Sequence, residues 1–98
     1  MTAYVIADVT VTNPDGYAAY RPLAAASITQ YGGKFIARGG AVESLEGGWA
    51  PSRIVILEFP SMAAARVWYD SPEYQAALKI RLATSTGRVI MTEGAAPA

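Results

Sequence analysis

Three charged residues interrupt segments that otherwise read as apolar strands: Asp8 in AYVIADVTV, Arg38 in KFIAR and Glu58 in RIVILEF. Burying a lone charge is costly, so each needs a partner or a purpose. One chemistry open to such a set is acid–base work. Asp8 or Glu58 would take a proton, a tyrosine would donate one, and Arg38 or Arg81 would steady an anion. The plainer alternative is an ion pair at an interface between two copies. Aromatic residues form the second group: Tyr17, Tyr20, Trp49, Trp68, Tyr69 and Tyr74. Each alone reads as packing with a polar handle. As a set with Arg38 and Arg81, they would line a pocket for a planar or anionic molecule. Arg81 itself interrupts the helical stripe of Tyr74, Ala77 and Leu78. A guanidinium there must find a carboxylate, a carbonyl or a ligand anion. Asp70 and Glu73 are near in sequence, so a structural pair with one of them is expected.

Other chemistry is excluded by what the chain lacks. It has no His and no Cys. That removes the commonest general base, the usual metal and haem ligands, thiol catalysis and disulfides. No metal and no cofactor is expected. GGKFIARGG is not a phosphate loop, because Lys34 is followed by Phe35 where that motif needs Ser or Thr. Eight basic residues balance eight acidic ones. Nucleic-acid binders carry a basic excess instead, and RIVILEF lacks the exposed ring pair of an RNA-recognition strand, so no nucleic-acid partner is expected. No apolar run is long enough for a membrane span. The start, MTAYVIADVTV, lacks the basic region of a signal peptide. A cytoplasmic protein with no membrane partner is the expectation.

The elements that must position these residues can be read in turn. Residues 3–11 form a strand with Val5, Ala7, Val9 and Val11 on one face and Tyr4, Ile6, Asp8 and Thr10 on the other. Asn13-Pro14-Asp15 starts a helix with an Asn cap, a first-turn proline and a first-turn acid. It runs to about Gln30, with Tyr17, Tyr20, Ala24, Ile28 and Tyr31 on one stripe. Pro22 should kink it or split off its first turns. Gly32-Gly33 ends the helix. Residues 34–38 form a second strand, Gly39-Gly40 a bulge or turn, residues 41–45 an irregular continuation and residues 46–51 a loop. Residues 53–59 form the strongest strand, stopped by Pro60. Ser61 caps a helix through Tyr69. Asp70-Ser71-Pro72-Glu73 is a junction where Ser71 caps a further helix, so Trp68 and Tyr74 meet on the sheet side of a break. Residues 87–93 form the last strand. The order β-α-β-β-α-β specifies an α+β ferredoxin-like domain, a four-stranded antiparallel sheet with two helices on one face. It would span residues 1–94, with 95–98 a mobile tail.

The sheet's second face is also apolar. Tyr4, Ile6, Ile54 and Ile56 would lie bare on it, although antiparallel sheets with a wet face alternate more cleanly. The chain is 52% hydrophobic and only 16% charged, against the usual quarter charged. Both facts lead to a homodimer that buries the open face.

Three motifs in this order, YGGKFIARGG (31–40), LEGGWAPSRIVILEFPS (45–61) and WYDSPEYQ (68–75), resemble the family called domain of unknown function 1330, over roughly Ala3 to Gly94. The matching positions include Tyr20, Gly32, Gly33, Arg38, Gly39, Gly40, Trp49, Pro51, Arg53, Trp68, Ser71, Pro72, Tyr74 and Arg81. The resemblance implies a dimeric α/β barrel, two ferredoxin-like subunits with their sheets face to face. The wider group includes cofactor-independent monooxygenases, lactone isomerases, haem enzymes and ligand-sensing domains. The missing histidine separates this chain from the haem members. The expected function is binding of a small aromatic or anionic molecule in a pocket between sheet and helices, lined by Tyr17, Tyr20, Arg38, Trp49, Trp68, Tyr74 and Arg81. The protein would act as a metal-free, cofactor-independent enzyme or as a non-catalytic ligand sensor or structural dimer.

Overall fold

The computed structural model describes residues 1–95; residues 96–98, most of the expected tail, lie outside the described part. Eight elements follow one another: β1 (Ala3–Val11), α1 (Pro14–Tyr17), α2 (Tyr20–Gln30), β2 (Lys34–Arg38), β3 (Ile54–Phe59), α3 (Met62–Asp70), α4 (Pro72–Thr84) and β4 (Ser85–Glu93). The four strands make one sheet in the order β2-β3-β1-β4, every pair antiparallel. This is the ferredoxin-like arrangement. Each of its two helices is divided in two.

Both divisions follow from proline. In the first helix the Asn13 side chain accepts from Gly16 N–H and caps α1. The helix then breaks at Ala18–Ala19 and resumes as α2, with Pro22 in its first turn. Pro22 has no N–H to offer the carbonyl four residues back, which is Ala18, so the break falls where that bond is missing. In the second, Ser71 is extended (φ −66°, ψ 148°) and accepts from Tyr74 N–H, with Pro72 at the first position of α4 and Glu73 in its first turn. Ser61 caps α3 by accepting from Ala64 N–H. Gly32 turns the chain out of α2 with φ +82°, a conformation that costs a side-chain-bearing residue.

Residues 41–45 differ from the expectation. No strand forms over 41–45, and the whole segment is irregular. Gly39 and Gly40 do not make the bulge either. The register slips three residues earlier instead: Phe35 opposes Leu57 but Ala37 opposes Ile56, leaving Ile36 as the extra residue. Side chains alternate faces along a strand, so this slip turns Arg38 onto the face occupied by Phe35. Gly39 then leaves the sheet at φ +69°, and a Cβ there would collide with the Arg53 guanidinium.

The core lies between one sheet face and the helices. Val5, Leu57 and Phe59 meet Ala24 and Ile28 of α2, Ala65 and Trp68 of α3, and Tyr74, Ala77 and Leu78 of α4. Trp68 is its centre, with ring centroids 4.1 Å from Tyr74 and 5.2 Å from Phe59. Its indole N–H donates to Ser27 Oγ at 3.1 Å, and Ser27 in turn donates to the Ala24 carbonyl. Burying an aromatic of this size contributes roughly 1.5–3 kcal/mol. Among the described residues, no helix is long and apolar enough to cross a membrane.

Candidate functional site

Ala7 is the smallest of the inward residues along the middle of β1. Flanked by Val5 and Val9, it leaves a space above the sheet. The resulting cavity lies between sheet and helices, is ≈ 60 Å³, and has Val5, Ala7, Val9, Val55 and Leu57 among its floor residues. Tyr17, Tyr20, Arg21, Ala24 and Ile28 wall it from α1 and α2, Phe35 and Arg38 from β2, and Trp68, Tyr74 and Arg81 from α3 and α4. Arg53, just before β3, closes another side.

Its charge is one-sided. Arg21, Arg38, Arg53 and Arg81 all line it. They are half of the eight basic residues in a chain of zero net charge. None of the described lining residues is a carboxylate. Two of the arginines sit near the mouth against rings. The Arg38 guanidinium lies 4.1 Å from the Phe35 ring centre, and that of Arg21 5.4 Å from the Tyr17 ring centre. The other two are more covered, Arg53 half-buried and Arg81 buried. Arg81 is only 6% exposed. The Nε atoms of Arg81 and Arg53 are both buried with no hydrogen-bond partner among the described residues. A buried unpaired donor is costly, more so on a charged group.

The expected structural pair for Arg81 therefore does not form. Asp70 binds Arg66 at 3.2 Å, one helical turn away. Glu73 accepts from Tyr31 O–H at 2.9 and 3.1 Å, a contact that raises the Tyr31 pKa. Eight residues along a helix is also a rise of about 12 Å, which puts Glu73 far from Arg81. Beside the arginines, the Tyr20 and Tyr74 hydroxyls are 2.9 Å apart. Burial, then the neighbouring Tyr74 hydroxyl, pushes the Tyr20 pKa well above the ordinary tyrosine value, so Tyr20 stays a protonated hydrogen-bonding group.

Tyr17, Tyr20, Arg38, Trp68, Tyr74 and Arg81 are thus brought together as the sequence suggested. Trp49, Asp8 and Glu58 are not. All three lie away from the helix side. Asp8 pairs with Arg88 at 3.4 Å and Glu58 with Lys34 at 2.8 Å; that ion pair raises the Lys34 pKa. In the register Asp8 opposes Ile54 while Glu58 opposes Tyr4, so the two acids stand four residues apart along the sheet. They do not converge with Arg38 on one site. Trp49, 58% exposed, lines a wide groove of ≈ 460 Å³ on the open face with Ile6, Asp8, Ile54, Arg88 and Ile90. Sequence reasoning missed Arg21 and Arg53 as lining residues. A signal for Arg53 was present: in RIVILEF it shares parity with Val55, Leu57 and Phe59.

The family described as domain of unknown function (DUF1330) matches the chain over residues 2–95. No curated protein is similar to it in sequence. Among solved structures, it is similar to RPA0582, a protein of unknown function from Rhodopseudomonas palustris, with 24% identity over 98% of this chain and 84% of that one and a TM-score of 0.79. It is also similar to a dimeric ferredoxin-like protein of unknown function from Jannaschia sp. CCS1 (14% identity, 96% of this chain, 100% of that one, TM-score 0.67). A third likeness is to SnoaB, a cofactor-independent oxygenase from Streptomyces nogalater (15% identity, 98% of this chain, 94% of that one, TM-score 0.63). At these identities the likeness speaks to the fold.

Proposed function

The chain belongs to the DUF1330 family, and from that footing we propose that it is a homodimeric protein that binds a small molecule between sheet and helices. The observation that carries this reading is Arg81, a nearly buried guanidinium on a core-facing helix stripe, bordering a cavity and lacking a carboxylate partner. A purely structural arginine would be paired. A thermal-shift screen against small aromatic and anionic metabolites tests it. A binder present well above its dissociation constant adds about 3 kcal/mol at a hundredfold excess. Absence of any shift across such a panel would contradict the reading.

The homodimer rests on the open face. Ile90 is 61% exposed there, beside Trp49, Ile6 and Ile54, and Ile36 on edge strand β2 is 51% exposed. Patches of this kind mark interfaces, and the Jannaschia protein of the same fold is described as dimeric. Light scattering should give twice the 10.3 kDa chain mass, and Ile90→Asp should return it to the monomer value. A wild-type monomer at micromolar concentration would end the proposal.

Binding without turnover is favoured over general-base catalysis, because the lining offers arginines and tyrosine hydroxyls and no carboxylate among the described residues. Turnover without a cofactor has one observation behind it, the Tyr20–Tyr74 hydroxyl pair at 2.9 Å, which presents a proton donor to the cavity. Product formation from a bound ligand, lost in Tyr20→Phe with binding retained, would favour that second reading.

A further inference from the structure

Resting on that binding reading, we infer that the ligand is an organic carboxylate that enters head first, its carboxylate between Arg81 and Arg53 and its apolar body toward Tyr17 and Phe35. Three observations converge on this class. The cavity, at ≈ 60 Å³, is far below the ~300 Å³ of a pocket that swallows a whole drug-sized ligand. It is the size of a head group. Buried Arg81 and half-buried Arg53 each keep a buried, unpartnered Nε donor, and a guanidinium presents its N–H groups in a fork that matches the two oxygens of a carboxylate. The two outer arginines differ from them: each already lies over a ring, Arg38 on Phe35 and Arg21 on Tyr17. The outer part of the site is therefore a set of rings and flat guanidiniums, suited to a planar or apolar body. Its inner end is suited to negative charge.

Arg53 shows that the inner end is built. The residue it lies against is Gly39, where any Cβ would collide with the guanidinium. The glycine at the end of β2 makes room for the arginine, and the slip at Ile36 places Arg38 on the same side. Enclosed donors in a low-dielectric site hold an anion far better than the same donors in water. The tyrosine pair adds a hydroxyl that can donate to a carboxylate oxygen.

Calorimetric titration of the full chain with benzoate, benzyl alcohol and inorganic phosphate, at low salt, separates the outcomes. Benzoate should bind about tenfold or more tighter than benzyl alcohol, its neutral counterpart, and tighter than phosphate. Arg81→Met should weaken benzoate by about tenfold or more, and Arg53→Met should do the same if Arg81→Met does not fold. Arg88→Met, on the open face, should leave it unchanged. Equal binding of benzyl alcohol and benzoate would overturn the carboxylate assignment and leave the small-molecule reading standing. Phosphate binding as tightly as benzoate would overturn the organic part. No heat from any of the three at about 10 mM, near the weak end of specific recognition, would overturn the inference. The wider metabolite screen would then decide the underlying reading separately.

Discussion

The two faces of this sheet are made by the same strands yet treat charge in opposite ways. On the open face each acid has a basic partner: Asp8 with Arg88, Glu58 with Lys34. In both pairs the carboxylate is the covered member and the cation the exposed one, 20% against 80% and 23% against 70%. On the helix side Arg53 and Arg81 carry enclosed donors without partners. Pairing on one side and orphaned donors on the other cannot both come from packing alone. The open face settles these charges within the fold, each carboxylate beside a cation. The helix side leaves two guanidinium Nε donors unmatched by any described residue.

That contrast can be broken by substitution. The largest effect belongs to the core that frames the cavity: Trp68→Ala should lower stability by about 3–5 kcal/mol, read as a urea midpoint. Next, Arg81→Met should raise the stability of the ligand-free protein by about 1–3 kcal/mol, because it removes an enclosed unpaired charge and keeps the packing stem. A destabilised Arg81→Met would mean that Arg81 is structural and the contrast false. A smaller effect concerns Tyr20. Its folded pKa lies above the unfolded value of about 10 because of burial and then Tyr74. The unfolded chain loses its proton first, so stability is full below about pH 10 and falls as pH rises beyond it. Tyr20→Phe should flatten that fall, measured as the difference between the two proteins in alkaline unfolding. The smallest effect is expected on the open face. Asp8→Asn should change stability by less than about 1 kcal/mol, with the difference shrinking in salt.

Local chemistry made much of the fold legible. Ser61 and Ser71 cap helices where a Ser precedes a helical run, and β1 spans the residues its alternation marks. The break at Ser71-Pro72 needs only the missing N–H of proline. What resisted reading depends on partners distant in sequence. Arg38 stands with Asp8 and Glu58 on a simple count of strand residues, and joins the cavity only because pairing with β3 slips at Ile36. Residues 41–45 follow a strand closely but have no neighbouring strand to bond. Arg81 had carboxylates close in sequence, but Arg66 and Tyr31 already hold them. Periodicity reports which face a side chain takes; it cannot report who has already claimed its partner.

Arg81 and Arg53 are proposed to hold an anion between them. Nitrogen-15 NMR of the arginine Nε–H groups during a benzoate titration reads this at the atoms concerned. Saturating shifts of the Arg81 and Arg53 signals, with Arg88 and Arg66 unmoved, are the outcome expected here. Benzoate that shifts Arg88 and leaves Arg81 still would contradict the account.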